Sequence, residues 1–139
     1  MKKDNKNAIS LIFHGEEGKV LIVKRSDAKE SFPGFWSLPS TYIHDDESPL
    51  EAANRLAQRK LGIDSVSLGR SIGSNKRDKG DLVLTMEDFE VASFTGELKL
   101  DPDEYTDLKW LTKDGLRKLL EVEHDGKMGQ CCEVFLASP

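Results

Sequence analysis

The chain has 139 residues, of which 37% are hydrophobic and 32% are charged, and its formal net charge is −5. This length fits one soluble domain covering residues 1–139, because single cores organise about 100–150 residues. The negative charge argues against broad binding to nucleic-acid phosphates, and no apolar run approaches the roughly 20 residues of a membrane span. The N-terminal stretch MKKDNKNAIS lacks the apolar core of a secretory signal, so we expect a cytoplasmic protein.

Two short β-rich runs, at 8–13 and 20–24, flank the polar turn HGEEGK. Runs of this kind around a glycine-containing turn predict a β-hairpin. A second β-rich region extends over 66–94 and is interrupted at 74–81 by the turn SNKRDKGD. A solvated hairpin tip explains the charges of that turn. The alternative is that a cation of the turn reaches an anionic ligand, the candidates being Lys76, Arg77 and Lys79.

The C-terminal third begins with the acidic turn DPDEYTD, which separates two runs expected to be short strands, at 98–100 and 108–111. The pattern then predicts a helix over about 113–122. After the glycine-containing break HDGKMG, a final helix is predicted over 130–137.

The cysteines and histidines give no sign of a metal cluster. Cys131 and Cys132 are adjacent, and a disulfide between neighbours would be strained, so we expect two buried thiols. The histidines show no mutual spacing that suggests metal ligation or a partner for a nucleophile. We expect all three to be surface or turn residues: His14, His44 and His124.

The clearest local signal is the start of the first helix. Ser48 and Glu51 have the spacing of a capping box, and Pro49 stands at the first helical position. The helix is expected to end near Leu61, since Gly62 can adopt the left-handed conformation that closes a helix.

The faces of this helix differ in character. At about 100° per residue, one stripe is apolar and is predicted to face the core. Its members are Leu50, Ala53, Ala57 and Leu61. On one flank of the stripe, Leu56, Arg59 and Lys60 fall together, which predicts that they are neighbours in space.

Other features accompany the helix in a fixed order. They are Arg25-Ser26 after a β-rich segment, the turn Pro33-Gly34-x-Trp36-x-Leu38-Pro39, and the closing pair Gly62-Ile63. In this order they resemble the Nudix (MutT-like) hydrolases over about residues 8–121. The resemblance implies an α/β (α+β) fold in which a mixed β-sheet is sandwiched between α-helices.

The signature box of this family reads G-x5-E-x7-R-E-U-x-E-E-x-G-U, where U is a bulky aliphatic residue. Four positions of the chain match it: Glu47, Arg55, Gly62 and Ile63. The opening glycine falls on Thr41, and the aliphatic position falls on Ala57. The glutamates of the R-E-U-x-E-E core fall on Leu56, Arg59 and Lys60, so the box is degenerate at its acidic positions.

The resemblance implies that active members bind Mg²⁺ or Mn²⁺ through those helix glutamates and cleave a diphosphate linked to another group. Hard divalent cations need oxygen ligands, and here the positions hold an alkyl group and two cations. We therefore expect no metal at the standard positions and no cofactor. Arg59 and Lys60 are either ordinary surface residues or hold a phosphate directly in place of the metal.

A displaced Mg²⁺ or Mn²⁺ site is the alternative. The resemblance implies that a glutamate in the later loop can bind metal or act as general base, and Glu104 is the best match, with Glu47 as its partner. The resemblance also implies that the box arginine braces a catalytic glutamate. Because Arg59 lies four residues away with a like charge, Arg55 is expected to turn to Glu51 or Glu47 instead. Glu47, Arg55 and Glu104 are therefore the candidate catalytic residues.

The expected ligand is a phosphorylated or nucleotide-like small molecule. Trp36, with Phe35 and Tyr42, could provide an aromatic wall for a base, but core packing is the preferred explanation for Trp36. The candidate ligand contacts are Arg25, Trp36, Arg59, Lys60, Lys76 and Arg77.

The residues leave open whether the protein is an enzyme, and three hypotheses follow. The first is a ligand-binding protein of the Nudix type with absent or impaired hydrolysis. The second is an active diphosphohydrolase with a displaced metal site. The third is a non-catalytic domain that binds other proteins, and a homodimer is compatible with each.

Overall fold

The computed structural model describes residues 4–29 and 32–139, so the first three residues of the basic N-terminal stretch lie outside it. The strands are β1 (Asp4–Ile12), β2 (Val20–Arg25), β3 (Trp36–Ser37), β4 (Ser40–Tyr42), β5 (Ser65–Asp78), β6 (Leu82–Thr95) and β7 (Tyr105–Leu111). The α-helices are α1 (Pro49–Lys60), α2 (Lys113–His124) and α3 (Gln130–Ala137). A 3-10 turn covers Glu16–Gly18.

The strands form two sheets. A four-stranded sheet has the order β4-β1-β6-β5, and a three-stranded sheet has the order β3-β2-β7. β1 and β6 run parallel, whereas the other pairs are antiparallel. The mixed sheet arrangement expected from the resemblance is therefore confirmed.

Apolar side chains cover both faces of the sheets, because successive residues of β1 and β2 point to opposite faces. Ile9 and Leu11 of β1 join the cluster under α1. Ala8 and Ile12 point to the opposite face and join the cluster under α2 and α3. Helices thus pack on both sides of the strands, as expected.

The predicted hairpin at the N-terminus forms only beside its turn, where Leu21 N–H donates to Phe13 O at 3.1 Å and Gly15 N–H donates to Lys19 O at 2.8 Å. β1 and β2 are connected by the tight turn, but apart from a bridge between His14 and Val20 they belong to different sheets. β1 instead pairs with β4 and β6, which are distant in sequence. Because these long-range partners take the hydrogen bonds of β1, the local turn does not decide the pairing.

The predicted strand at 98–100 is also absent, since these residues are irregular. They are held by the end of α1, where Lys99 N–H donates to Leu61 O at 2.8 Å and Asp101 N–H donates to Lys60 O at 2.9 Å. Carbonyl groups in the last turn of a helix lack partners within the helix. The segment satisfies these carbonyls instead of joining a sheet.

The basic turn is shorter than the sequence suggested. β5 continues through Asp78, and the turn occupies 79–81, where Gly80 has φ +91°. Lys76 and Arg77 consequently lie within β5, and Lys79 is the cation at the tip.

The ends of α1 agree with the prediction. Ser48 Oγ accepts a hydrogen bond from Glu51 N–H at 3.1 Å, and Ser48 N–H donates to Glu51 Oε1 at 3.1 Å. Lys60 is the last helical residue, and Gly62 has φ +69°. The capping box and the glycine therefore bound the helix as expected.

The buried face of α1 differs from the predicted stripe. Leu50 is 48% exposed, whereas Leu56 is 0% exposed and belongs to the core. The buried helical residues are Ala52, Ala53, Leu56 and Ala57. Leu50 lies roughly 90° around the helix from the middle of this face, which explains its exposure. Leu56 is therefore the buried member of the group that it forms with Arg59 and Lys60 on one side of α1.

The C-terminal helices follow the prediction closely. α3 has the predicted limits, and α2 continues to His124, two residues beyond the predicted end. Cys131 and Cys132 are free and buried, as expected.

Candidate functional site

A cleft of about 480 Å³ lies where the two sheets meet. Residues of β1, β4 and β6 line it from one sheet, and residues of β2 and β3 line it from the other. The end of α1 contributes Lys60, and the start of α3 contributes Gln130. This volume is within the range of about 300–1,000 Å³ that small-molecule sites occupy.

The cleft is strongly basic although the chain is acidic overall. Its lining includes four cationic residues, namely Arg25, Lys29, Lys60 and Lys79. Among the described residues, no Asp or Glu belongs to the lining. The local charge therefore favours an anionic ligand.

One carboxylate stands beside two of these cations. Glu104 Oε2 accepts a hydrogen bond from Lys29 Nζ at 2.7 Å and lies 3.6 Å from Lys60 Nζ. Burial on its own raises the pKa of Glu104, but the hydrogen bond from Lys29 and the charge of Lys60 outweigh it and lower that pKa. Glu104 is therefore an ionised bridge between the two ammonium groups.

Lys60 is held in a partly desolvated position. Burial lowers the pKa of Lys60, the nearby charges of Lys29 and Arg25 lower it further, and Glu104 opposes the change. Lys29 and Arg25 thus place like charges near the ammonium group, and Glu104 forms an ion pair with it at 3.6 Å. An anionic ligand would relieve this repulsion.

The three residues predicted to replace the box glutamates have different surroundings. Lys60 lines the cleft, Arg59 is exposed and outside the described lining, and Leu56 is buried in the core under α1. Positions three and four residues apart on a helix are neighbours, so Leu56 lies beside Arg59 and Lys60 on α1, but its side chain is buried. Arg59 stays a predicted ligand contact, but Lys60 alone of the three reaches the cleft.

Glu47 and Arg55 form a bidentate pair, with Arg55 Nε and Nη2 each donating to a Glu47 oxygen at 2.9 Å. The hydrogen bond from Arg55, aided by the N–H of His44, lowers the pKa of Glu47 to about 2. Arg55 also donates to Thr41 Oγ1 at 3.2 Å and to Tyr42 O at 2.6 Å. Since Thr41 and Tyr42 line the cleft, this pair holds one cleft wall against α1.

The basic turn between β5 and β6 contributes to the cleft through its tip. Lys76 is exposed, and Arg77 donates to Met128 O and pairs with Glu133 of α3. Lys79 lines the cleft, and its Nζ lies 5.6 Å from the centre of the Phe32 ring. Lys76 and Arg77 stay predicted ligand contacts, placed away from the lining.

Trp36 belongs both to the core and to the wall of the cleft. It is 4% exposed and packs in the core under α2 and α3, yet it also lines the cleft. His124 supports this wall, since its Nε2 accepts a hydrogen bond from Trp36 N–H at 3.1 Å and its ring stacks on Phe35 at 3.9 Å. The expectation that His124 is a simple surface residue is therefore wrong, because α2 extends far enough to reach β3.

Sequence reasoning missed Lys29 and Gln130. Lys29 follows Arg25 in a loop and meets Glu104 75 positions later, so no local pattern signals the contact. Gln130 stands at the first position of a predicted helix, where its type gives no hint of a cleft. Only the packing of distant segments brings these residues into the site.

The described residues do not fit a divalent cation. In 4–29 and 32–139, no group of three His, Cys, Asp or Glu side chains is arranged to hold a metal ion. Glu47 is committed to Arg55, and Glu104 is committed to two lysines. Before either carboxylate could ligate a metal, it would have to leave a cationic partner.

Comparison with known proteins identifies the family. The family model described as NUDIX domain matches residues 4–130. The chain belongs to the Nudix family. The uncharacterized Nudix hydrolase YfcD of Escherichia coli strain K12 is 30% identical over 108 residues, which cover 77% of this chain. The match spans 59% of the length of that relative.

Solved structures show the same Nudix architecture. The solution structure of the E. coli ORF135 protein has a TM-score of 0.73 and 22% identity, covering 97% of this chain and 91% of that one. The crystal structure of the MutT protein from Methanosarcina mazei Go1 has a TM-score of 0.74 and 20% identity, covering 98% and 91%. No helix in the described parts of the chain is long and apolar enough to cross a membrane.

Proposed function

We propose that this Nudix protein binds a phosphorylated, nucleotide-like small molecule in its basic cleft, with metal-dependent hydrolysis absent or impaired. The observation that carries the proposal is the cluster of Lys29, Glu104 and Lys60, with Arg25 beside it. In this cluster, Lys60 stands at a position where the family resemblance implies a metal-binding carboxylate. The departure from the signature box is thus explained by binding of an anionic ligand instead of a metal ion.

The cluster opposes a divalent cation by its charge. Lys29 and Lys60 carry two positive charges and Glu104 carries one negative charge, so these three described residues have a net charge of about +1 before screening. A metal ion would meet repulsion and would lack the carboxylate that Leu56 replaces. Metal supplies the activated water for hydrolysis in metal-dependent sites, so its exclusion removes that step.

The same cluster favours a phosphate or diphosphate. Lys and Arg are effective phosphate ligands, and charge-assisted hydrogen bonds are about twice as strong as neutral ones. Phosphate oxygens would compete with Glu104 for Lys29 and Lys60. The cleft volume accommodates a nucleotide-sized ligand.

The test is calorimetric titration with inorganic pyrophosphate and with ADP, first in EDTA and then with Mg²⁺. We expect binding in EDTA that Mg²⁺ does not enhance, and a loss of roughly tenfold to a hundredfold in Lys60→Gln, since hydrogen bonds to charged groups contribute about 1.5–3 kcal/mol. Lys118→Gln is the matched control, because Lys118 is exposed on α2 and outside the described cleft lining. Glu104→Gln should tighten binding by releasing both lysines.

Two results would contradict the proposal in different ways. Turnover of ADP or of a nucleoside diphosphate linked to a sugar, dependent on Mg²⁺ or Mn²⁺ and abolished by Glu104→Gln, would establish the displaced metal site. Absence of binding to any phosphorylated probe, in a protein that is folded by circular dichroism, would favour a domain that binds other proteins.

A further inference from the structure

His124 is the last residue of α2, and its side chain reaches the free edge of β3. β3 has two residues and is the edge strand of its sheet, so one side of it pairs with β2 and the other side has no neighbouring strand. Trp36 N–H points away from β2, because it donates to His124 Nε2 at 3.1 Å. The imidazole therefore takes the place that a neighbouring strand would have.

This bond requires one particular arrangement of protons on the imidazole. A backbone N–H group can only donate, so Nε2 must carry a lone pair, and the proton of the neutral ring must be on Nδ1. In the charged form both ring nitrogens carry protons and both donate. Trp36 N–H would then face a second donor whichever way the ring turned. The bond therefore exists only while His124 is neutral.

The bond joins α2 to a wall of the cleft. Phe35 and Trp36 line the cleft, and the Phe35 ring stacks on the imidazole with the ring centres 3.9 Å apart and the planes 7° apart. Trp36 is 4% exposed, and a backbone N–H in such surroundings is unfavourable without a partner. On the opposite side of this wall, Arg25 N–H donates to Phe35 O at 2.8 Å. The wall is thus bonded to β2 on one side and, through His124, to α2 on the other.

The charged groups around the wall act on an imidazolium in opposite directions. Lys24 of β2 and Lys109 of β7 have Nζ 5.9 and 5.4 Å from the centre of the Trp36 ring, and Lys79 of the β5–β6 turn lines the same cleft. These cations repel a positive charge on the wall side. Acids predominate near His124 along the chain, and the C-terminal end of a helix attracts a cation. The exposed charged residues there are Glu121, Glu123, Asp125 and Lys127. A charge on the ring therefore draws it away from the wall.

We propose that His124 is a pH-sensitive positioning residue, whose neutral imidazole holds Phe35 and Trp36 in the wall of the cleft and whose charged imidazole releases them. Histidine is the side chain that ordinarily gains its charge between about pH 8 and pH 5. Acidification over this range therefore loosens β3 at its free edge. The consequence for ligand binding rests on the proposed function, whereas the release of the wall does not.

The first test is NMR spectroscopy of the protein without ligand. At pH 8, long-range proton–nitrogen correlations of the imidazole should show the proton on Nδ1 and none on Nε2. The protection of Trp36 N–H from hydrogen exchange, corrected for the exchange of an unstructured amide at each pH, should fall about fivefold to tenfold from pH 8 to pH 5, as expected for loss of one hydrogen bond. Leu21 N–H, which donates to Phe13 O, is the internal reference and should lose no protection.

Three variants separate the hydrogen bond from the ring and from the charge. His124→Gln keeps an acceptor but cannot gain a charge, so Trp36 N–H should be equally protected at pH 5 and pH 8. His124→Phe keeps a flat ring against Phe35 but removes the acceptor, so the protection should be low at both pH values. His14→Gln removes an exposed histidine outside the described cleft lining and should keep the pH dependence of the wild type. If His124→Phe does not fold by circular dichroism, His124→Gln provides the test.

Calorimetric titration with ADP measures the consequence for the cleft. The affinity of the wild type divided by that of His124→Gln should fall about threefold to tenfold from pH 8 to pH 5, because only the wild type loses the bond to Trp36. Taking the ratio at each pH removes the effect of pH on ADP itself.

The outcomes separate this inference from the proposed function. A proton on Nε2 at pH 8, unchanged protection of Trp36 N–H in acid, or an equal loss of protection in His124→Gln would overturn the positioning role. A constant ratio of ADP affinities would overturn its effect on the cleft. Absence of ADP binding, in a protein whose Trp36 N–H shows the expected exchange, would overturn the proposed function and leave the positioning role standing.

Discussion

Asp88 of β6 provides a stability prediction that depends on pH. Its side chain is fully buried, Ser10 Oγ donates to Oδ1 at 2.5 Å, and Oδ2 has no partner among the described residues. Burial, with a further contribution from Cys131, raises the pKa of Asp88 from 3.8 to about 8. The native protein therefore holds this carboxyl group in its neutral form at pH 7.

The direction in which stability changes with pH follows from proton linkage. Between about pH 4 and 8 the native state binds a proton that the unfolded chain releases, so the free energy of unfolding falls as pH rises. The stabilisation that protonated Asp88 contributes is fully present below the pKa that it has in the unfolded chain, and it is lost as the pH approaches 8. Each pH unit is worth at most about 1.4 kcal/mol, so the loss from pH 5 to 7 is about 2–3 kcal/mol.

The perturbation is Asp88→Asn, which keeps the shape and the acceptor for Ser10 but cannot ionise. Its free energy of unfolding, relative to wild type, should increase by about 2–3 kcal/mol from pH 5 to pH 7. Urea denaturation followed by circular dichroism at pH 5, 6 and 7 measures this difference. Glu47 contributes little to the pH dependence of stability above pH 5, because its pKa is about 2 in the native state and 4.5 normally.

A parallel series with Asp45→Asn, at an exposed loop position, reports what the same substitution does at the surface. If the difference between Asp88→Asn and wild type stays constant with pH, Asp88 does not retain its proton in the folded protein. The reasoning from burial would then be refuted.

Two further substitutions test the packing around α1. Gly62→Ala should reduce the free energy of unfolding by more than about 1 kcal/mol, because φ is +69° and the added Cβ would lie 2.4 Å from Lys99 O. Thermal denaturation measures the change, and an unchanged melting temperature would contradict this close approach. Leu56→Glu should cost about 2–5 kcal/mol, because it places a carboxyl group in the core and removes apolar packing. Urea denaturation measures this loss, and unchanged stability would indicate that position 56 can turn toward the cleft.

The limits of α1 and α3 could be predicted from the sequence because they depend on local interactions. Ser48 and Glu51 cap one helix through bonds spanning three residues, and Gly62 closes it through its own backbone freedom. The order of motifs around α1 identified the Nudix family for the same reason. Turn, cap and glycine are adjacent in the chain and need no knowledge of tertiary packing.

Strand pairing could not be predicted in this way. β1 has partners in β4 and β6, and the hydrogen-bonding groups of a strand are alike whichever neighbour they meet. The tight turn after β1 suggested a hairpin, but the cores on both faces place β2 in the other sheet. The irregular segment at 98–100 likewise takes its shape from the carbonyl groups at the end of α1.

In the candidate site, too, some features follow from local sequence and others only from tertiary packing. The chain order led to the prediction that Leu56 and Lys60 replace family acids, since the spacing of the box can be counted. Only tertiary structure decided that Leu56 enters the core, that Lys60 meets Lys29 and Glu104, and that His124 meets Trp36. These contacts join segments far apart in sequence, and charge, burial and hydrogen bonding act through distance in space.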